Sequence, residues 1–363
     1  LGDGTTTDRH TFVQPSGNPT AKSVACGYKH TVIIKQDDTI WACGSNGFGQ
    51  LGDGTTTDKH TFIQPTGNPT AKAVSSENIY TVIIKQDDTV WACGRNNYGQ
   101  LGDGTTTDRH TFVQPSGNPK AKSVSCGCGH TVIIKLDDTV WVCGWNDYSQ
   151  LGDGTTTDKY TFIQPSGNPT AKSVACGAYH TVIIKQDDTV WTCGYNSHGE
   201  LGDGTTTKRS TFIQPSGNPT AKSVACGNIY TVIIKQDDTV WACGYNGYGQ
   251  LGDGTTTDRY TFVQPSGNPT AKSVAQGSVQ YLNYWVEPEN TLSSVPEEVY
   301  EISKGIKVNE VIPVRSSVSK SENTITSTFT DFTFTNSRNI ETTFTVNPNN
   351  TVSSLTADIQ KAN

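Results

Sequence analysis

The octapeptide Leu-Gly-Asp-Gly-Thr-Thr-Thr-Asp begins at Leu1 and returns at Leu51, Leu101, Leu151 and Leu251, with one change, Lys208, in the copy that starts at Leu201. A strict period of 50 residues narrows the possible folds sharply, because such a chain must stack copies of one small unit and share a core between neighbours. Within a copy the order is Thr-Phe-Val/Ile-Gln-Pro, Ala-Lys-Ser-Val-Ala-Cys-Gly, His-Thr-Val-Ile-Ile-Lys and Thr-Val-Trp-Ala-Cys-Gly. Each segment is short and rich in β-branched or aromatic residues, as strands are. The separators, Ser16-Gly17-Asn18-Pro19, Gln36-Asp37-Asp38 and Gly2-Asp3-Gly4, supply Asx turns and positive φ. Four strands with no room for a helix predict an all-β chain, a β-propeller of four-stranded blades that bury their faces against one another. The first two segments occur six times and the last two five times, which predicts five complete blades and a split sixth. Closing the ring then requires strands from upstream sequence or from residues 280–286.

The run Val24-Ala25-Cys26-Gly27-x-x-His30-Thr31-Val32, followed by Trp41-Ala42-Cys43-Gly44-x-Asn46-x-x-Gly49-Gln50-Leu51-Gly52, resembles the repeat of the regulator of chromosome condensation family. The resemblance covers residues 1–276, and copy two departs from it with Ser76, Glu77 and Tyr80. It implies a propeller, usually of about seven blades. One member of that family is a nucleotide-exchange factor for a small GTPase that relies on a wedge-like insertion and on basic segments for chromatin. Neither is present here, since every complete copy is 50 residues long and the ends are not basic. Other members inhibit β-lactamase and present aromatic residues on one face to a protein.

Differences between copies cluster in three windows. The first holds Tyr28-Lys29-His30, Asn78-Ile79-Tyr80, Cys128-Gly129-His130, Ala178-Tyr179-His180 and Asn228-Ile229-Tyr230. The second follows each tryptophan strand, with Ser45 and Phe48, then Arg95 and Tyr98, Trp145 and Tyr148, Tyr195 and His198, and Tyr245 and Tyr248. Strand alternation places both windows at one end of every blade. Together they predict a binding rim of Tyr28, His30, Phe48, Tyr80, Arg95, Tyr98, Trp145, Tyr148, Tyr179, Tyr195, His198, Tyr230, Tyr245 and Tyr248, rich in the residue types that make interface contacts. The competing reading is drift in loops that tolerate change; the aromatic bias favours the rim. A third, milder window runs through Arg9-His10, Lys59-His60, Arg109-His110, Lys159-Tyr160, Arg209-Ser210 and Arg259-Tyr260.

Catalysis is not expected. Six of the seven histidines sit at repeat positions that elsewhere hold Tyr or Ser, and no nucleophile, base and orienting acid stand apart from the repeat. The Gly-Asp-Gly and Asp-Asp pairs lack the oxygen ladder and the bidentate Glu of a calcium loop, so no metal and no cofactor are expected. With 34 acidic against 27 basic residues and no Lys/Arg cluster, nucleic acid is disfavoured. No apolar run of about 18 residues appears, so no membrane span is expected. The ten cysteines include four pairs 17 apart, such as Cys26 and Cys43. Their strands are separated by another strand, roughly 9 to 10 Å in all, beyond the reach of a disulfide, so buried thiols are expected. With Leu1 opening inside a repeat and no Met in the chain, we read it as a processed or partial product of a longer precursor.

The repeat stops at Gly277 and the composition shifts to Ser, Thr, Asn and Val. We divide the chain into a propeller over residues 1–285 and a Ser/Thr-rich β-domain over 286–363, resembling a small sandwich. Ile306-Lys307-Val308 and Val311–Val314 read as short strands, while Thr324–Thr330, Phe332, Phe334 and Thr343–Val346 carry the alternation of half-buried strands. Such strands suit self-assembly by edge pairing. The expected function is an extracellular, cell-, spore- or virion-surface scaffold, structural or adhesive, whose rim meets a protein or glycan. The alternative is a soluble, cytoplasmic inhibitor or regulator that uses the same rim on a protein target.

Overall fold

The computed structural model describes residues 1–274 and, beyond them, the backbone of strands Ser319–Ser321, Thr324–Thr326, Asp331–Thr335, Glu341–Thr345 and Asp358–Ile359. The chain divides into two compact units, Leu1–Tyr281 and Leu282–Asn363. In the second unit the first two strands pair antiparallel, and the last three form an antiparallel sheet in which Phe332 lies opposite Phe344. The expected strands at 306–308 and 311–314 and the ring-closing residues 280–286 lie outside the described residues. No helix among the described residues is long and apolar enough to cross a membrane.

Among the described residues the first unit holds five four-stranded antiparallel sheets. In blade one, β1 (Ala21–Cys26), β2 (His30–Lys35), β3 (Ile40–Gly44) and β4 (Lys59–Ile63) pair in that order. Blades two to five repeat the pattern over residues 73–113, 121–163, 173–213 and 223–263. The fourth strand of each blade therefore belongs to the next sequence copy. The five complete blades are as expected; of the split sixth, Thr11–Pro15 at the front is irregular and Ala271–Val274 at the back forms no strand among the described residues, and the rest of that blade lies outside them. A buried asparagine in the loop before the fourth strand decides the matter. Asn46 Nδ2 donates to Asp53 Oδ1 at 2.9 Å and to the Thr55 and Thr57 carbonyls, its Oδ1 accepts the Leu51 N–H, and its own N–H donates to Asp58 Oδ1 at 2.7 Å. This staple folds the chain back so that Lys59 meets Gly44 in register.

Apolar cores form between blades rather than within them. Val82, Ile84, Val90, Ala92 and Leu101 of blade two pack against Ala121, Cys126, Ile133 and Cys143 of blade three. Equivalent clusters join blades one and two, three and four, and four and five. No cluster among the described residues joins blade five back to blade one. Each blade so has a leading face turned to its predecessor and a trailing face turned to its successor. Burial at about 25 cal/mol per Å² drives this stacking, and a lone sheet could not satisfy either face.

Nine of the ten cysteines are buried, and only Cys26 is exposed. Cys26 and Cys43 both lie opposite Thr31, on its two sides, so the middle strand stands between them. Burial pushes the Cys43 thiol up to about 11 and those of Cys126 and Cys226 up to about 12.

Candidate functional site

Both variable windows sit at one end of the blades, opposite the Lys-Gln-Asp-Asp-Thr hairpins. Gly44 makes the bend that starts the second window. Its φ is +108°, and a Cβ there would come within 2.3 Å of the Lys29 carbonyl, so only glycine fits. The Asn46 staple and Gln50, whose Oε1 accepts the Phe48 N–H at 3.0 Å, fix the loop from inside. Positions 45, 47 and 48 are left to point outward, and they are the positions that vary between copies. The first window is pinned from blade to blade through its backbone, with the Tyr28 N–H donating to the Asn78 carbonyl and the Ala178 N–H to the Asn228 carbonyl.

The outward side chains run together along the rim. The Arg95 guanidinium lies 5.3 Å from the Phe48 ring and 6.0 Å from the Tyr98 ring, close enough for cation–π attraction. Tyr98 stacks on Trp145 at 4.7 Å and 11°. Trp145 meets Tyr148 and Tyr179 edge-on, each at 5.4 Å, and Tyr148 meets Tyr195 at 5.0 Å. Tyr179 closes the group at 5.9 Å from Tyr195. Trp145 is further fixed by its Nε1 donating to Asp147 Oδ2 at 2.8 Å. A second group lies farther round, where His198 meets Tyr245 at 4.9 Å and Tyr245 meets Tyr248 at 6.0 Å. Stacked and edge-to-face pairs of this kind each add about 0.5–1.5 kcal/mol beyond area burial, so the rim is an ordered surface.

Three residues expected on the rim are elsewhere. His30 and Tyr80 are buried at blade junctions, and Tyr230, their counterpart in blade five, is half-buried. The third residue of the first window opens β2 and its equivalents, and the strand register turns its side chain toward the next blade. The Thr81 hydroxyl donates to the Gln50 carbonyl at 2.8 Å, so it accepts from His30 Nε2 at 3.0 Å. This bond fixes the neutral Nε2–H tautomer. His130 and His180 make the same bond to Thr181 and Thr231. Burial lowers the His30 pKa to about 4 and those of His130 and His180 to about 3. In copy two the Tyr80 hydroxyl takes over, 3.0 Å from the Gly127 carbonyl and 2.5 Å from that of His130. Tyr28 is half-buried on the rim beside Lys29, whose Nζ is 5.0 Å from its ring.

The third window lies on the outer strand, where its cations serve the Gly-Asp-Gly turns. Arg109 pairs with Asp103 at 2.6 Å and Lys59 with Asp53 at 3.1 Å. At Asp3 the bond from Arg9, with those from Thr5, holds the carboxyl down at about 2. These oxygens are occupied by donors, and among the described residues no three His, Cys, Asp or Glu side chains converge to hold a metal.

The loop of blade four between Gly194 and Arg209 carries changes whose joint meaning only the structure reveals. Glu200 replaces the loop glutamine, Lys208 replaces the aspartate that caps the staple, and His198 takes a rim position. His198 Nδ1 lies 2.8 Å from Asp258 Oδ2. Glu200 Oε2 accepts the His198 N–H at 2.9 Å, while its Oε1 is buried without a partner. Burial pushes the Glu200 carboxyl up to about 7.

Models of the regulator of chromosome condensation (RCC1) repeat match residues 87–134, 137–184 and 187–234, and in a second form 21–50, 121–150, 171–200 and 221–250. No curated protein sequence matches the chain. Among solved structures, human WBSCR16 superposes with a TM-score of 0.61 at 19% identity, covering 69% of this chain and 68% of that one. Prp20p of Saccharomyces cerevisiae, described with its binding to Gsp1p and histones, gives 0.45 at 18% identity over 67% of this chain and 76% of that one. At 19% identity the likeness to WBSCR16 is one of fold.

Proposed function

Since the chain belongs to the regulator of chromosome condensation repeat family, we propose that it is a binding scaffold without catalytic activity, which holds a protein partner on the aromatic rim of blades two to four. The observation that carries this reading is the run of five rings, Tyr98, Trp145, Tyr148, Tyr179 and Tyr195, packed across three blades. Rigid aromatic groups offer contact area at low entropic cost, and Trp, Tyr and Arg dominate interface energetics. We favour a protein over a glycan. Trp145, the largest flat face, is covered by Tyr98 on one side and met edge-on by Tyr148 and Tyr179, which leaves edges and hydroxyls rather than a flat platform.

Two settings suit such a scaffold: an extracellular or surface appendage anchored through the Ser/Thr-rich C-terminal segment, and a soluble regulator in the cytoplasm. The nine buried cysteines suit the second, because reducing compartments keep thiols reduced and such residues then serve as small core groups. Affinity capture with the intact chain, set against the quadruple variant Tyr98→Ala, Trp145→Ala, Tyr195→Ala, Tyr248→Ala, tests the rim. Loss of one central aromatic anchor costs about 2 kcal/mol, roughly thirtyfold in affinity, so the partner should vanish from the variant. Equal recovery from both would dispose of the rim.

A further inference from the structure

Two residues of the rim loops are peculiar to one copy each, and the structure brings them together. Asp147 stands where the other loops have Gly47, Asn97, Ser197 and Gly247, and Lys208 stands where they have Asp58, Asp108, Asp158 and Asp258. Asp147 belongs to the loop of blade three and Lys208 to that of blade four. The lysine reaches back across the junction, and its Nζ donates to the Asp147 carbonyl at 3.3 Å. The same reach puts Asp258 Oδ2 2.8 Å from His198 Nδ1, so the residue that closes each loop faces the rim of the blade before it. An aspartate at position 208 would therefore set a carboxylate beside Asp147. That site already holds two acids, since burial and then the charge of Asp147 raise the pKa of the Asp158 carboxyl.

Lysine at this position has a local cost. In the other four loops the aspartate accepts the N–H of the buried asparagine, at 2.7 Å for Asn46 and Asn96 and at 2.8 Å for Asn146 and Asn246. Lysine has no acceptor to offer Asn196, so blade four gives up that bond. The compensation lies in blade three. Asp147 Oδ2 accepts the Trp145 Nε1–H at 2.8 Å, and Trp145 is the ring on which Tyr98 of blade two stacks and which Tyr179 of blade four meets edge-on. We propose that Lys208 and Asp147 are positioning residues of the rim: Lys208 holds the Asp147 loop across the junction, and Asp147 in turn fixes Trp145 in the orientation that a protein partner meets. Neither residue has to touch the partner. The inference rests on the rim reading above, but its test observes the indole directly and uses no partner, so the two can fail separately.

Hydrogen exchange of the indole N–H groups in the full chain, followed by NMR with the Trp145 signal identified by its loss in Trp145→Phe, measures the order of the anchor; thermal melting measures the fold. Lys208→Asp restores the cap on Asn196 and should raise the melting temperature. At Trp145 it should act the other way and speed exchange about fivefold, the size of one exposed charge contact. The indoles of Trp41, Trp91, Trp141, Trp191 and Trp241, each bonded to a threonine two residues before it, should not change. Adding Asp147→Asn to Lys208→Asp keeps an oxygen for the indole and removes the repulsion, so exchange should return to within about twofold of the unaltered chain. Should Lys208→Asp fail to fold, Lys208→Ala decides, with Trp145 loosened about twofold by loss of the cation alone. Trp145 exchange that the folded lysine variant leaves unchanged overturns the proposal. So does a loosening that Asp147→Asn does not reverse, or one shared by every indole, which would mark Lys208 as a residue of the fold and not of the rim.

Discussion

Replacing Glu200 by Gln should stabilise the protein at neutral pH and leave it almost unchanged in mild acid. The substitution restores the residue found at Gln50, Gln100, Gln150 and Gln250, and an amide oxygen can accept the His198 N–H as Gln50 accepts that of Phe48. The carboxylate has no such fit. It is fully buried, its Oε1 finds no donor, and Asp258 adds like charge to the burial that raises its pKa from 4.5 to about 7. The folded state therefore holds the proton more tightly than the unfolded chain. Stability from this group is greatest below pH 4.5, falls as pH rises toward 7, and is level above that. At about 1.4 kcal/mol per pH unit the full difference is about 3 kcal/mol. Urea unfolding of both chains from pH 4.5 to 8.5 measures it. The buried histidines change stability in the same range with the opposite sign, but they are common to both chains and cancel in the comparison. A gap between the two chains that does not widen with pH would refute the account of Glu200.

Further predictions concern the junctions, the staple and the thiols. Because His30, His130 and His180 are held neutral with pKa values of about 3 to 4, the unfolded chain gains protons first as pH drops below 6.5. Stability should then fall by about 1.4 kcal/mol per pH unit for each histidine. His130→Tyr, which installs the residue of copies two and five, should move the acid-unfolding midpoint followed by circular dichroism to lower pH; an unmoved midpoint would contradict the junction role. Asn146→Ala removes the staple of blade three, where Nδ2 meets Asp153 Oδ1 at 3.0 Å and Oδ1 accepts the Leu151 N–H. A loss of about 3 kcal/mol is expected from several buried bonds, seen as a lower melting temperature. In dilute solution a thiol reagent should label Cys26 quickly and the nine buried cysteines only after denaturant is added; rapid labelling of more than one thiol would contradict the burial.

The sequence alone determined the strand segments, the turns between them and the sharing of cores between sheets. All three follow from local chemistry: β-branched alternation, Asx and glycine turns, and apolar faces too large for one sheet to hide. It also placed both variable windows at one end, since consecutive antiparallel strands reverse direction. Ownership of the fourth strand was beyond its reach, because Lys59 joins Gly44 through a loop that the buried Asn46 folds, and a hydrogen-bond network spanning twelve residues leaves no periodic mark. The same holds for His30 and Tyr80, which share a window with true rim residues and differ only in which side of the strand they occupy. Glu200 looks like a conservative change in a loop; its burial is set by the blade beside it, where Thr231 and Cys243 bond to its carbonyl oxygen. Sequence patterns record what a residue does with its near neighbours, whereas burial and pairing depend on segments brought together from a whole repeat away.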